Sequence, residues 1–265
     1  MKKSPDLHIA IVQTDLYWKD KVANLAMLEE KIWEIEGTID LLILPEMFST
    51  GFSMDAPELA EPMNLLVTKW MKQMASQLKC VVTGSTIISE NQKYYNRLLW
   101  VSADGNISFY DKRHLFRMAE EEKVFSAGEN LLIFDLKGWK ICPQICYDLR
   151  FPVWARNRTN HGELAYDLIF YIASWPSTRV SAWDALLPAR AIENLAYSIG
   201  VNRIGVDGNE VSYNGHSAAY DFKGSKLINL EDREIIQVVK LEASELEAYR
   251  RKFPAWMDSD SFQIT

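Results

Sequence analysis

Cysteine and histidine are scarce in this chain, three and four respectively among 265 residues. An odd number of cysteines without an export signal argues against a disulfide framework and for a reducing, cytoplasmic setting. They do not read as a metal or redox centre either. Three residues separate Cys142 from Cys146, not the two of a C-x-x-C motif, and no second Cys/His pair accompanies them. Basic residues are in deficit, 29 Lys and Arg against 36 Asp and Glu, for a net charge of −7. A phosphate-binding face needs a basic excess or stripe, so nucleic acid is not an expected partner. Long apolar runs are missing as well. Met1-Lys2-Lys3-Ser4-Pro5-Asp6 leads into an apolar run of residues 9–12 only. That run is too short for a signal segment, and nothing approaches the roughly 20 residues of a membrane-spanning helix.

What is present is an ordinary globular balance, 48% hydrophobic and 25% charged, enough to bury a large core in one domain. No linker or solenoid repeat interrupts residues 1–265, which read as a single domain with a tail from about 251 to 265. Residues 8–13 predict a buried first strand. Apolar positions Val22, Leu25, Leu28, Ile32 and Ile35 fall at helical spacing within residues 19–35, with Gly37 as a stop. Residues 40–45, Asp-Leu-Leu-Ile-Leu-Pro, form a short continuous apolar run, the pattern of a strand covered on both faces. A helix over 63–78, a strand over 80–84, and a hairpin of 96–101 and 107–110 around Ala103-Asp104-Gly105-Asn106 follow. Residues 120–123 read as a charged loop. Strands are expected at 131–136, 139–146, 167–173, 197–202, 216–221 and 235–240. Helices are expected from 153 to about 161, over 183–196 and over 242–250. The run 167–172 echoes 40–45, each a buried strand feeding an aromatic-bearing loop. Interspersed strands and helices predict layered α/β.

The chain's chemistry centres on residues 141–152, Ile-Cys-Pro-Gln-Ile-Cys-Tyr-Asp-Leu-Arg-Phe-Pro. An apolar strand runs into Cys146, the chain turns, and Pro152 suits a first helical position. A cysteine at such a corner stands near unpaired helix N–H groups, which favour a thiolate. Cys80 and Cys142, inside apolar runs, read as small buried hydrophobes. Glu46 closes an apolar strand, where desolvation raises a carboxyl pKa and suits a general base; taken alone it also fits a solvated strand end. Lys112 lies in a Tyr-Asp-Lys-Arg-His cluster that by composition is a surface turn. Among the histidines, His8 opens a strand and His161 ends a helix, while His114 and His216 stay open as thiol bases.

Taken together, Leu44-Pro45-Glu46-Met47-Phe48, Tyr110-Asp111-Lys112-Arg113-His114-Leu115-Phe116 and Ile145-Cys146-Tyr147-Asp148-Leu149-Arg150-Phe151-Pro152 closely resemble, in order, the three signatures of the nitrilase (carbon–nitrogen hydrolase) superfamily. Ala189-Arg190-Ala191-Ile192-Glu193-Asn194 and Gly215-His216-Ser217 resemble its later landmarks. The resemblance implies a four-layer α-β-β-α sandwich of two mixed sheets and a Glu-Lys-Cys triad on Glu46, Lys112 and Cys146. It also implies a second glutamate, for which Glu120, Glu121 and Glu122 compete; counting back from Ser126-Ala127-Gly128 selects Glu121. Pro143 in the nucleophile strand and Pro188 ahead of Ala189 depart from the pattern, and each removes a backbone donor.

His-Leu-Phe after the lysine and Cys-Tyr-Asp-Leu-Arg-Phe-Pro look most like the omega-amidase branch, which hydrolyses the terminal amide of short 2-oxo acids such as 2-oxoglutaramate and 2-oxosuccinamate. That implies a thioester on Cys146, an oxyanion held by Lys112 and the Tyr147 N–H, and no metal or organic cofactor. Phe116 and Trp175 are expected to wall the pocket and Arg179 to meet a substrate carboxylate, with Arg150 bracing the corner by pairing with a carboxylate. A nitrilase or N-carbamoyl hydrolase on the same triad, and a silent binding scaffold, are the competing readings. The partner is a small-molecule amide. Helices apolar on more than one face (Val153, Trp154, Ala155; Leu186, Leu187, Ala191, Ile192, Leu195) predict a homodimer, with the tail Phe253-Pro254-Ala255-Trp256 either on its seam or on its own subunit.

Overall fold

The computed structural model describes residues 4–160 and 162–264. Two six-stranded sheets build the molecule. The first contains β1 (Leu7–Gln13), β2 (Leu41–Ile43), β3 (Val81–Glu90), β4 (Lys93–Val101) and β5 (Ile107–Asp111). The second contains β6 (Phe134–Leu136), β7 (Trp139–Ile145), β8 (Leu168–Ala173), β9 (Tyr197–Asn202), β10 (Ala218–Tyr220) and β11 (Lys226–Asn229). The last strand, β12 (Ile235–Leu241), returns to the edge of the first sheet beside β1.

The strand orders are β12-β1-β2-β3-β4-β5 and β6-β7-β8-β9-β10-β11. Both sheets have one directional pattern, an antiparallel edge, then three parallel strands, then two antiparallel ones. The two apolar runs that echo one another in sequence are β2 and β8, the middle parallel strand of each sheet. Their inner faces meet in one core, with Ile9, Ile11 and Ile43 from one sheet and Ile141, Phe170, Ile172 and Ile199 from the other. Each such side chain, fully buried, is worth about 1.5–3 kcal/mol.

Helices cover the outer faces and complete four layers. Helix α1 (Lys21–Ile32) and α2 (Leu66–Leu78) lay Leu25, Leu28, Ile32, Met71 and Met74 on the first sheet. Helix α3 (Val180–Asn194) lays Trp183, Leu187 and Ala191 on the second. Asp20 caps α1 by accepting the Ala23 N–H at 2.9 Å. That helix ends at Ile32, short of Gly37, and leaves Val22 exposed.

Several expectations are corrected here. The helix after Cys146 is a 3₁₀ turn (Cys146–Arg150) and one helical turn (Pro152–Ala155). It does not run to 161 because the Asn157 amide is taken by Asn194 Oδ1 at 2.8 Å and its side chain exchanges bonds with Tyr166, so the chain leaves in extended form. His161 lies outside the described residues. The charged loop at 120–123 contains a helical turn, Glu121–Val124. Pro188 lies inside α3, eight residues past its start, so it does not set the start. Pro143 stands in β7 beyond Ile141, the last residue that pairs with β6, where the missing donor is tolerated. The strand expected at 216–221 shortens to Ala218–Tyr220, and the hairpin Ile204–Val206 with Ser212–Asn214 was not foreseen. The terminal helix runs on to Lys252, and Phe253 packs on Tyr249 of the same chain, with ring centroids 5.9 Å apart.

Candidate active site

Polar groups gather where the parallel strands of both sheets end. Glu46 follows β2, Lys112 follows β5, Cys146 follows β7 and Ser174 follows β8. Each loop is pinned by backbone. Met47 N–H donates to Ser85 Oγ at 2.9 Å and fixes the Glu46 turn to β3. Lys112 N–H donates to the Asn96 carbonyl at 3.0 Å, and its own carbonyl accepts from Gly128 at 2.9 Å. A Cβ on Gly128 would lie 2.1 Å from the Asp111 carbonyl, so only glycine lets the two segments close.

The carboxylates of Glu46 and Glu121 and the Lys112 ammonium are fully buried and bonded to one another. Lys112 Nζ donates to Glu46 Oε1 at 2.8 Å and to Glu121 Oε1 and Oε2 at 3.1 and 2.9 Å. Glu46 Oε2 accepts the Ser174 N–H at 2.8 Å, and Glu121 Oε2 accepts the Phe116 N–H at 2.6 Å. Burial works against the Lys112 ammonium, but Glu121 and then Glu46 outweigh it and hold its pKa above the ordinary value. Of the three candidate glutamates only Glu121 reaches Lys112; Glu120 pairs with Lys123 at the surface, and Glu122, half-buried, lies 3.7 Å from Arg117.

Cys146 lies at φ +45°, in the left-handed region, opening the 3₁₀ turn. Its Sγ is 4.0 Å from the Ser174 carbonyl. Burial, then the Glu46 carboxylate, push its thiol pKa well above the ordinary range, and Lys112 only partly offsets them. Against the expectation of a helix-stabilised thiolate, burial and the Glu46 carboxylate favour the protonated sulfur, and only a short 3₁₀ turn opens at it. Cys80 and Cys142 are buried, with thiols pushed up to about 12 by desolvation.

Asp148 braces the corner, a part first assigned to Arg150. Its buried carboxylate accepts Tyr110 O–H at 2.8 Å, Ile145 N–H at 3.1 Å, His114 N–H at 2.9 Å and His114 Nδ1 at 2.7 Å. Tyr110 and His114 flank Lys112, so one carboxylate registers the lysine segment against the cysteine turn. His114 is thereby engaged, and His216 bonds Asp184 at 3.0 Å; neither lines the cavity beside Cys146. Arg150 has its guanidinium 4.9 Å from the Trp175 ring centroid.

That cavity holds about 480 Å³ and is lined by Lys112, Cys146, Phe116, Tyr147, Trp175 and Arg179, among others. Arg150 lines it too, and so do Asp207 and Tyr213 from the unforeseen hairpin region. Arg179 lies over the Phe116 ring at 5.3 Å, and Trp175 Nε1 donates to the Arg179 carbonyl at 2.8 Å. Two guanidiniums thus flank aromatic walls above a thiol. Sequence reasoning missed Arg150 as a wall residue, and it missed Asn96, whose Nδ2 donates to Glu46 Oε1 at 2.8 Å and Glu121 Oε1 at 3.3 Å. Nothing in the strand pattern around Asn96 marks it apart from its polarity inside an apolar run.

Comparison with known proteins places this geometry in a family. A family model described as carbon–nitrogen hydrolase matches residues 8–251. The omega-amidase YafV of Escherichia coli (strain K12) is 41% identical over 261 residues, 98% of this chain and 99% of that protein. The 2-oxoglutaramate amidase of Bacillus subtilis (strain 168) is 31% identical over 253 residues, 94% of this chain and 96% of its own length. Among solved structures, XC1258 from Xanthomonas campestris, a CN-hydrolase superfamily protein with an arsenic adduct in its active site, superposes with a TM-score of 0.96 at 42% identity, covering 98% of this chain and all of that one.

Proposed function

The chain belongs to the carbon–nitrogen hydrolase family, and from that premise we propose that it is an omega-amidase-like enzyme releasing ammonia from the terminal amide of a short 2-oxo acid. The observation that carries this reading is the Lys112 ammonium clamped between buried Glu46 and Glu121 on the wall of a cavity that also presents Cys146. Acyl transfer from an amide needs a nucleophile, a base and a fixed positive charge where the oxyanion forms. These side chains supply all three.

Burial and Glu46 favour the protonated sulfur, so attack needs a base to remove its proton. Glu46 takes the S–H proton as Cys146 Sγ bonds to the amide carbon. Lys112 and the Tyr147 backbone N–H hold the resulting oxyanion, an interaction type commonly worth about 3–4 kcal/mol of barrier per donor. Glu46 passes its proton to the amide nitrogen, the C–N bond breaks, and ammonia leaves a thioester. Water then attacks with Glu46 as base, the C–S bond breaks, and Cys146 is reprotonated. Glu121 orients Lys112. No metal or organic cofactor enters these steps.

Arg150 and Arg179 suit the far carboxylate of a dicarboxylic monoamide, with Phe116 and Trp175 gripping the carbon chain between them. A cytoplasmic setting and a two-fold dimer belong to the same reading. Among the described residues no helix is long and apolar enough to cross a membrane, and Val153 and Ile192 stand exposed on the outer layer.

The test is ammonia release from 2-oxoglutaramate, 2-oxosuccinamate, a neutral amide without a carboxylate, nitriles and N-carbamoyl compounds. The 2-oxo acid amides should be turned over fastest, and Cys146→Ser should keep the fold while losing at least about 100-fold in rate. Preference for a nitrile or carbamoyl substrate would replace the reading with its nearest rivals. Near-normal turnover by the serine variant would remove Cys146 as nucleophile.

A further inference from the structure

Glu46 has two oxygens, and the base can act through only one of them at a time. A carboxylate offers about four lone-pair positions in total. Oε1 receives Lys112 Nζ at 2.8 Å and Asn96 Nδ2 at 2.8 Å, which fills it. Oε2 receives only the Ser174 N–H at 2.8 Å and keeps one position open. Cys146 Sγ meets the same residue, 4.0 Å from the Ser174 carbonyl. Oε2 is therefore the oxygen left for the thiol.

Asn96 sits at the far side of this arrangement. Its amide nitrogen has two hydrogens, and it spends one on each glutamate, at 2.8 Å to Glu46 Oε1 and 3.3 Å to Glu121 Oε1. The orientation is dictated by its neighbours, because turning the carbonyl toward two carboxylates would oppose like charges. Its own Oδ1 is buried and accepts no hydrogen bond among the described residues. An apolar isostere would remove that unpaired acceptor but would also take one donor from each of two buried carboxylates, so the residue is kept for what its N–H groups hold. The same residue's backbone carbonyl takes the Lys112 backbone N–H at 3.0 Å, so Asn96 touches both carboxylates with its side chain and the lysine segment with its main chain.

We propose that Asn96 is a positioning residue that occupies Glu46 Oε1, so that Oε2 alone faces Cys146 as the base, while its second N–H keeps Glu121 on the same ammonium. This rests on the amidase reading above, with Glu46 as base.

The experiment compares Asn96→Leu, close in volume but without donors, with the parent enzyme. Four quantities are read: kcat and KM for 2-oxoglutaramate, the rate of Cys146 alkylation by iodoacetamide at neutral pH, and the melting temperature. The variant should melt within a few degrees of the parent yet lose about 10- to 100-fold in kcat, part of the 10²–10⁴ that a placed general base supplies. KM should stay within about threefold, since Asn96 lies behind the carboxylates, and alkylation should slow in step with kcat. Peptide mapping of the adduct separates Cys146, which lines the cavity, from Cys80 and Cys142, which are buried elsewhere. Unchanged kcat and alkylation in a folded variant, or a rise in KM with kcat intact, would overturn the proposal. If Asn96→Leu does not fold, Asn96→Ser, which retains one donor, is judged by the same measurements and the same outcomes. A parent that alkylates readily but hydrolyses none of the amides would count against the substrate reading, and the alkylation arm would still decide the part played by Asn96.

Discussion

A sulfur whose proton is favoured by burial, beside a carboxyl base, is a different starting arrangement from a thiolate beside an imidazolium, and the difference rests on single side chains. Desolvation and the Glu46 carboxylate both hold the Cys146 proton on. Removing the negative charge at Glu46 takes away one of these two, so Glu46→Gln should bring the thiol pKa down toward its usual value while abolishing general-base catalysis. Thiolate absorbance followed against pH should show a lower midpoint in the variant, with ammonia release down at least about 100-fold. A midpoint that stays put or rises would mean that the carboxylate does not face the sulfur. Linkage gives the matching stability statement: a thiol whose folded pKa is raised contributes stability below its unfolded pKa, and that contribution is lost as pH climbs through the folded one. Glu46→Gln should therefore narrow the alkaline loss of stability as well.

The elements matter because each places one group and is itself pinned by a neighbour. Lys112 is held where β5 ends only because residues 126–128 pass close enough for Gly128 to donate to its carbonyl. Gly128→Ala puts a methyl 2.1 Å from the Asp111 carbonyl, and separating the two segments should cost about 1–3 kcal/mol. The lysine sits one residue from the point of contact, so turnover should fall further than stability alone explains. Thermal melting paired with kcat checks this, and an unchanged kcat in a melted-down variant would uncouple the two segments. At this scale the sequence was readable where periodicity governs: β1, β2, β7, β8 and the helices over the outer faces lie within a few residues of their patterns. It was not readable where side chains redirect the backbone. The helix after Pro152 is cut short by bonds among Asn157, Tyr166 and Asn194, which are separated along the chain and invisible to any local window. The Asp148 clamp was missed for the same reason, because its donors come from residues 110, 114 and 145.

At the scale of the molecule, the two sheets repeat one topology and press their inner faces together, so the carboxyl ends of both parallel strand sets share one end of the sandwich. That is where a ligand crevice belongs in such sheets, and it explains how residues as far apart as 46, 112, 121 and 146 meet. Strand echo in the sequence hinted at this symmetry, while its meaning lay in the pairing of strands, which composition does not carry. The outer layers are less settled by the chain itself. Val153 is 58% exposed and Ile192 53% exposed, and their elements are joined where Arg156 donates to the Glu193 carbonyl. A stable contact between copies buries about 1,200 Å² or more, usually about an apolar centre, and these residues offer one. If a two-fold dimer closes there, Ile192→Glu places an unpaired charge in its middle and should yield monomer by sedimentation, against a parent of twice the chain mass. Every buried charge of the site comes from one chain, so the monomer should still release ammonia. A parent that sediments as monomer, or a variant that stays dimeric, would move the interface elsewhere. A monomer that loses turnover would instead show that the outer helix, through Arg190 and its 2.6 Å bond to the Leu149 carbonyl, needs the second copy to hold the cysteine turn in place.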